Sequence, residues 1–210
     1  MIRITIESAR PLLPQMAGAV EAIRRGEVVA FPTDTLYGLA VDPRSDVALD
    51  ALFALKGRSA DRTVALIAAS VAQADEVVDL NGTARRLADR FWPGPLTLVV
   101  QARGLVAPQA RSASGLVGIR VPDHPVARAL AEACGHVITA TSANASGRAA
   151  TASPDEVAHA LPDLSVLIDA GRSPGGPAST LVDAAGAEIR LLREGALPWG
   201  RVLDFLSSPS

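Results

Sequence analysis

The sequence predicts one α/β domain built on a mixed sheet, and three observations carry that expectation. Apolar runs of strand length alternate with amphipathic helix patterns along the chain, from "IRITI" at the start to "AEIRLLR" near residue 190. The hydrophobic fraction, 49% of 210 residues, is ample for a continuous core. No internal repeat, heptad or low-complexity stretch interrupts the alternation, so a single domain over residues 1–210 is expected.

Each element has its own signal. Ile2 to Ile6 alternates like a half-buried strand. A helix is predicted from Pro14 to about Arg25, with Met16, Ala19, Val20 and Ile23 on one face and Pro14 in its first turn. "GEVVAF" is the second strand and runs into "PTDT". From Asp46 to Leu55 the stripe of Leu49, Leu52 and Phe53 predicts a helix that Lys56 extends, placing a cation at the end the helix dipole favours. "TVALIAAS" reads as a buried strand and Thr83 to Arg90 as a short helix. Leu96 to Val100 forms a strand after the turn in "FWPGP", and "LVGIRVP" forms one stopped by Pro122.

Asp123 or His124 is expected to cap a helix with Pro125 in its first turn and Val126, Ala129, Leu130 and Ala133 on its inner face. "HVITATSANASGR" is a strand that empties into a small polar loop. Ser153, Pro154 and Glu156 carry a capping-box pattern for a helix toward His159. "SVLIDAG", "ASTLVDA" and "AEIRLLR" supply the last strands, and the Gly/Pro-rich segment from Gly171 to Pro177 is expected to be a mobile loop.

Composition removes several classes of function. A net charge of −2 argues against a generally basic nucleic-acid-binding surface, while leaving a local cationic groove compatible. Cys134 is the single cysteine, so there is no disulfide framework and no cysteine pair for a metal, and a packed thiol is expected. His124, His136 and His159 are too scattered to suggest a metal site. No apolar run approaches 18 residues and the N-terminus alternates, so no membrane span and a cytoplasmic location are expected. The phosphate-loop, dinucleotide, nucleophile-elbow and H-E-x-x-H motifs are missing, and no tightly bound organic cofactor is expected.

What remains is a set of polar residues at strand ends, where open α/β sheets gather ligands. Thr33, Asp34 and Thr35 follow one strand, Ser142 and Asn144 another, and Ser179 and Thr180 precede a third. Lys56, the single lysine, with Arg58 offers a point charge beside a planar fork. Each also has a plainer reading: a turn for the threonines, a solvated helix end for Lys56 and Arg58, and an ion pair on the wet face for Arg120 or Arg193. Taken alone, these residues support a site for a small anion or nucleotide, working by orientation and charge stabilisation.

In order, "FPTDTLYGLA", "LKGR", "FWPGPLTLVV", "GIRVPDHP", "TATSANASG", "ASTLVD" and "LLREG" resemble the YrdC family, also called TsaC, of threonylcarbamoyl-adenylate synthases. The resemblance covers roughly residues 15 to 196. It implies a single YrdC-like domain of the short form, with a twisted mixed sheet, flanking helices and a cationic concave cavity. The implied activity makes L-threonylcarbamoyladenylate and pyrophosphate from L-threonine, bicarbonate or CO2, and ATP. Mg2+ would be associated with the ATP rather than held by a protein metal site. The product would serve t6A formation in tRNA through a separate transferase complex; monomer and dimer are both compatible.

By motif, Lys56 and Arg58 match the family's K-x-R and are the implied catalytic pair. Thr33, Thr35 and Ser179 are implied on the threonine side, and Ser142, Asn144, Arg120 and Arg193 on the ATP side. Ser59 and Thr63 depart from the proline and the proline-leucine pair that many relatives carry, and Ile67 from the histidine that some carry within that strand, which bears on the threonine pocket. The alternative implied by that departure is a divergent, YciO-like module that binds nucleotide or RNA with weak or no synthesis.

Overall fold

In the computed structural model, which describes residues 1–57, 64–145 and 149–208, the apolar runs assemble into one mixed sheet. The chain passes through β1 (Ile2–Thr5), α1 (Leu12–Gln15), α2 (Ala17–Arg24), β2 (Val29–Phe31), β3 (Gly38–Ala40) and α3 (Asp46–Lys56). It continues through β4 (Ala65–Ile67), α4 (Val71–Asp75), β5 (Val78–Asp79), α5 (Gly82–Phe91), β6 (Leu96–Ala102), β7 (Leu116–Arg120) and α6 (Pro125–Cys134). β8 (Ile138–Ser142), α7 (Pro154–Ala160), β9 (Val166–Asp169), β10 (Thr180–Asp183), β11 (Arg190–Arg193) and α8 (Trp199–Ser207) complete it.

The strand order is β1-β9-β2-β3-β8-β4-β7-β6-β10-β11, with β5 added to the far end of β6. β1 and β2 run parallel to β9, β4 parallel to β7 and β6 parallel to β10, and the other pairings are antiparallel. Side chains alternate across this sheet with period two. Ala30, Leu39, Leu66, Leu98, Ile119 and Leu167 join one core with Leu49, Leu52 and Phe53 of α3 and Leu87 of α5. Val29, Phe31, Ala40, Ile67, Ile138 and Val166 join a second core with Ile23 of α2 and Leu130 of α6. Among the described residues no buried member of that second core comes from β6, β7, β10 or β11. Helices therefore cover only part of the second face, and the remainder is available for a cavity.

Local chemistry sets the helix ends that matter. Ser45 caps α3 by accepting from the Ala48 N–H at 3.2 Å, and Gly57, at φ 59°, closes the helix in the left-handed conformation that favours glycine. That closure stops the helix one residue after Lys56. Asn81 caps α5, accepting from Ala84 N–H at 2.8 Å. α8 lies on α5, with Phe205 edge-on to Phe91 at 5.6 Å and the Arg86 guanidinium over the Phe205 ring.

Several expectations change. Pro14 lies inside the one-turn α1, and the amphipathic helix begins only after Met16. The capping box at Ser153 does not form: Thr151 takes over, its hydroxyl bonding the Glu156 carboxylate and accepting the Ser153 N–H at 3.0 Å. His124 occupies the cap position of α6 without a side-chain cap bond, and burial pushes its pKa down. β3, α4, β5 and α8 are additional to the sequence reading. The Gly171–Pro177 segment is tied at three points, by Tyr37 Oη to Gly171 O at 2.7 Å, Gly175 N to Thr35 O at 2.8 Å and Ser173 N to Ala152 O at 2.9 Å. Among the described residues no helix is long and apolar enough to cross a membrane.

Two outcomes test this arrangement. Leu66, fully buried in a central strand, should lose about 2–5 kcal/mol of stability as Leu66→Ala, read from urea unfolding. Burial pushes the Cys134 thiol up to about 12, so at pH 8 a disulfide reagent should label native protein slowly and urea-unfolded protein fast. Because deprotonation then favours the unfolded chain, Cys134 should lower stability as pH rises past the ordinary thiol value of about 8.5.

Candidate active site

The cavity begins with small residues in one register row. Ala140 of β8 pairs with Ala65 of β4, Ala65 with Gly118 of β7, and Gly118 with Val99 of β6. The first three carry one side-chain carbon or none, so the bare part of the sheet is depressed there. A Cβ at Gly118 would lie 3.2 Å from Thr97 Cγ2 and 3.7 Å from Ala65 Cβ, which shows how closely the floor is packed. Over this floor lies a cavity of about 310 Å³, whose polar lining includes Thr33, Thr35, Thr97, Arg120, Ser142, Ser179 and Arg193.

The turn after β2 forms one wall. Thr33 Oγ1 donates to Leu36 O at 2.7 Å, accepts from Thr35 N at 3.2 Å and lies 3.1 Å from Thr35 Oγ1. These threonines build the turn and also line the cavity. Tyr37 is fully buried, and burial pushes its phenol up to about 12, keeping it a donor to Gly171 O.

Arg120, at the end of β7, is 6% exposed, and its Nη2 lies 3.2 Å from Asp34 Oδ1. The contact is an ion pair without hydrogen-bond alignment: among the described residues neither Asp34 oxygen nor Arg120 Nη1 has a hydrogen-bond partner. Burial pushes the Arg120 pKa below its usual value, with Asp34 opposing that shift and Arg193 adding to it.

Arg193 reaches the cavity through a bulge. Leu181 of β10 pairs with Arg193 while Val182 pairs with Leu191, so Leu192 is the extra residue on β11. Without it, Leu192 rather than Arg193 would share a face with Leu181, which lines the cavity. The guanidinium donates from Nη2 to Ser179 O at 2.9 Å. Ser179 is held from behind by Gly195, where a Cβ would fall 2.0 Å from Ala178 O and 2.7 Å from Ser179 O. Its hydroxyl lies 2.8 Å from Thr97 Oγ1.

Lys56 and Asn144 lie outside the cavity lining and join it through Ser142. The Lys56 ammonium, on a residue 4% exposed, donates to Ser142 O at 2.5 Å and Asn144 O at 2.9 Å, so it grips the loop after β8. Asn144 Nδ2 donates to Ala145 O at 3.0 Å. Arg58, Ser59 and Thr63 lie outside the described residues. Ile67 is in the cavity wall.

Of the residues singled out from sequence, Thr33, Thr35, Arg120, Ser142, Ser179 and Arg193 thus converge on one cavity. Thr97 completes the arrangement without having been chosen, and Asp34, named in the turn after β2 but given no role, pairs with Arg120. Thr97 had a signal: it is the one hydroxyl in the apolar run from Leu96 to Val100. Among the described lining residues there is no carboxylate, imidazole or thiol, so the site favours chemistry by positioning and charge over chemistry by a protein base or nucleophile.

Residues 21–195 match the protein-family model Sua5/yciO/yrdC, described as Telomere recombination. The chain is 36% identical over 190 residues to the threonylcarbamoyl-AMP synthase of Bacillus subtilis, covering 88% of this chain and 54% of that protein. It is 38% identical over 189 residues to the threonylcarbamoyl-AMP synthase of Vibrio cholerae, covering 88% of this chain and 99% of that protein. It therefore spans about half the length of the first relative and nearly all of the second. The crystal structure of P. abyssi Sua5 complexed with L-threonine superposes with a TM-score of 0.90 at 33% identity, over 98% of this chain and 60% of that one.

The packing behind Ser179 is open to a direct check. Gly195→Ala should lower unfolding stability by at least about 2 kcal/mol, because backbone must move. Gly104→Ala, where nothing lies within 4 Å of the new carbon, should change it by less than about 0.5 kcal/mol in the same urea titration.

Proposed function

The chain belongs to the Sua5/YciO/YrdC family, and from that membership and the cavity's geometry we propose that it makes L-threonylcarbamoyladenylate and pyrophosphate from L-threonine, bicarbonate or CO2, and ATP. The observation that carries this reading is the convergence of three hydroxyls, Thr33, Thr35 and Ser179, with the guanidinium groups of Arg120 and Arg193 over a floor of small residues. The carboxylate of an amino acid and a polyphosphate both call for hydrogen-bond donors and cations, and no carboxylate is among the described lining residues, Asp34 pairing with Arg120 from outside it.

The turn of Thr33 and Thr35, with Ser179 opposite, is assigned to threonine. Arg120 was expected on the ATP side, but its pairing with Asp34 ties it to the threonine turn, and the amino acid's carboxylate is the better partner for it. Arg193 and Ser142, with Asn144 in the same loop, are assigned to ATP. Lys56 and Arg58 are assigned to charge stabilisation, with Lys56 also holding the carbonyls of the Ser142–Asn144 loop.

In the reaction the unprotonated amine of threonine adds to CO2, its lone pair forming the C–N bond as one C=O π pair moves onto oxygen. The proton lost from nitrogen passes to a phosphate oxygen of ATP or to water, leaving a carbamate. A carbamate oxygen then bonds to the α-phosphorus as the bond to the bridging oxygen of pyrophosphate breaks, and both electrons of that bond leave with pyrophosphate. The protein's part is to bring the carbamate in line and offset the charge on the phosphates with Arg193, Lys56 and Arg58. Mg2+ would travel with ATP, held by phosphates and water. Among the described residues no group of three or more His, Cys, Asp or Glu could hold a metal, so this reading assigns the ion no protein cage. The product, a mixed anhydride, suits transfer of its threonylcarbamoyl group to tRNA, with AMP leaving, by a separate transferase complex in the cytoplasm.

One observation favours the second reading, a divergent module that binds nucleotide or RNA with weak or no synthesis: apolar Ile67 lines the cavity, in the strand where some relatives were expected to carry a histidine. The test is product formation by the purified protein with ATP, Mg2+, bicarbonate and L-threonine, detected by mass with pyrophosphate release. Product that disappears without threonine supports the synthase, whereas nucleotide binding without product supports the divergent module. In the synthase, Arg193→Ala should raise KM for ATP about 10- to 100-fold, the range for a charge-assisted hydrogen bond, with KM for L-threonine little changed.

A further inference from the structure

Two hydroxyls in this cavity are bonded to each other. Thr97 Oγ1 and Ser179 Oγ lie 2.8 Å apart, where β6 and β10 run side by side in parallel. Thr97 is 4% exposed, and its Cγ2 sits against Gly118, 3.2 Å from where a Cβ there would lie. A threonine has three staggered rotamers and a branched Cβ that restricts them. With the methyl seated over Gly118, the remaining position of the branch aims the hydroxyl at Ser179.

Each hydroxyl has one hydrogen and two lone pairs. The Thr97–Ser179 contact uses one hydrogen and one lone pair, so the pair keeps a second hydrogen to present, and both residues line the cavity. The Ser179 backbone is already fixed, its carbonyl by Arg193 Nη2 and its position by Gly195. What is left to set is the rotation of the Ser179 side chain, and Thr97 sets it.

We propose that Thr97 is a positioning residue for the amino-acid substrate: locked by Gly118, it orients the Ser179 hydroxyl toward the ligand. This rests on the reading above, in which Ser179 serves L-threonine. Thr97 touches the substrate through Ser179, so its effect falls on threonine and not on ATP.

Thr97→Val keeps the branched shape over Gly118 and removes the hydroxyl. It should raise KM for L-threonine, and Kd for L-threonine in calorimetry, about three- to tenfold, the worth of one neutral hydrogen bond. KM for ATP and the melting temperature should stay near wild type, and Thr97→Ser should restore most of the affinity. In a Ser179→Ala background Thr97→Val should cost nothing further, because the residue acts through Ser179. An unchanged KM for threonine, an equal loss in the Ser179→Ala background, or a parallel rise in both KM values with a lowered melting temperature would each overturn the proposal. Wild-type protein that is folded but neither binds nor uses L-threonine would overturn the functional reading and this inference with it; threonine use by wild type with an indifferent Thr97→Val would sink the inference alone.

Discussion

The site depends on a sheet that is covered unevenly. Both faces begin as ordinary alternating surfaces, and both are apolar where helices sit on them. Beyond the reach of α2 and α6 the second face meets no helix among the described residues, and large apolar side chains there would not be packed by one. The row of Ala140, Ala65 and Gly118 resolves this with almost no side chain. The same choice that avoids an exposed apolar patch creates the depression, and Thr33, Thr35, Thr97, Arg120, Ser142, Ser179 and Arg193 stand around it. Filling the floor would leave the fold's two cores intact and remove the place where a ligand could lie.

Three cations around that depression are held in different ways. Arg120 is nearly enclosed and paired with Asp34 in a contact that leaves hydrogen-bonding capacity on both partners. Burying such a pair costs desolvation, and a pair kept for stability alone would be expected to satisfy its remaining donors and acceptors. Arg193 is exposed and anchored by a single bond to a carbonyl. Lys56 is buried against two carbonyl oxygens, each the negative end of a dipole but neither a full negative charge. These two bonds tie the end of α3 to the loop after β8, so the position of the Ser142 backbone depends on Lys56.

How much of this could be read from the sequence follows the range of each interaction. Periodicity located most strands and the long helices because a buried face leaves its mark every two or every three to four residues. It missed β3, which follows directly on the turn after β2, β5, which at two residues is too short to show a period, and α8, which follows Pro198. Capping was misjudged at Ser153 because Thr151, two residues earlier, competes for the same Glu156. The converging hydroxyls and arginines were recognisable as strand-end chemistry and, as a set, by their resemblance to a family. Thr97, and the pairing that gives Asp34 its part, were not, since each gains its place from a partner far away in the chain, Ser179 for Thr97 and Arg120 for Asp34.

The bulge at Leu192 gives β11 two phases. Up to Leu191 the strand keeps step with the core, and from Arg193 it keeps step with the cavity, the change being made by a single uncounted residue. Length variation is thus not equivalent along this hairpin. A residue gained or lost in the 184–189 connection alters only a loop, but one gained or lost between Leu191 and Arg193 exchanges inside for outside. In aligning related chains, a one-residue gap at this point would have to be read as a change of chemistry, with an arginine leaving the site or an aliphatic side chain entering it, even where every neighbouring letter is the same.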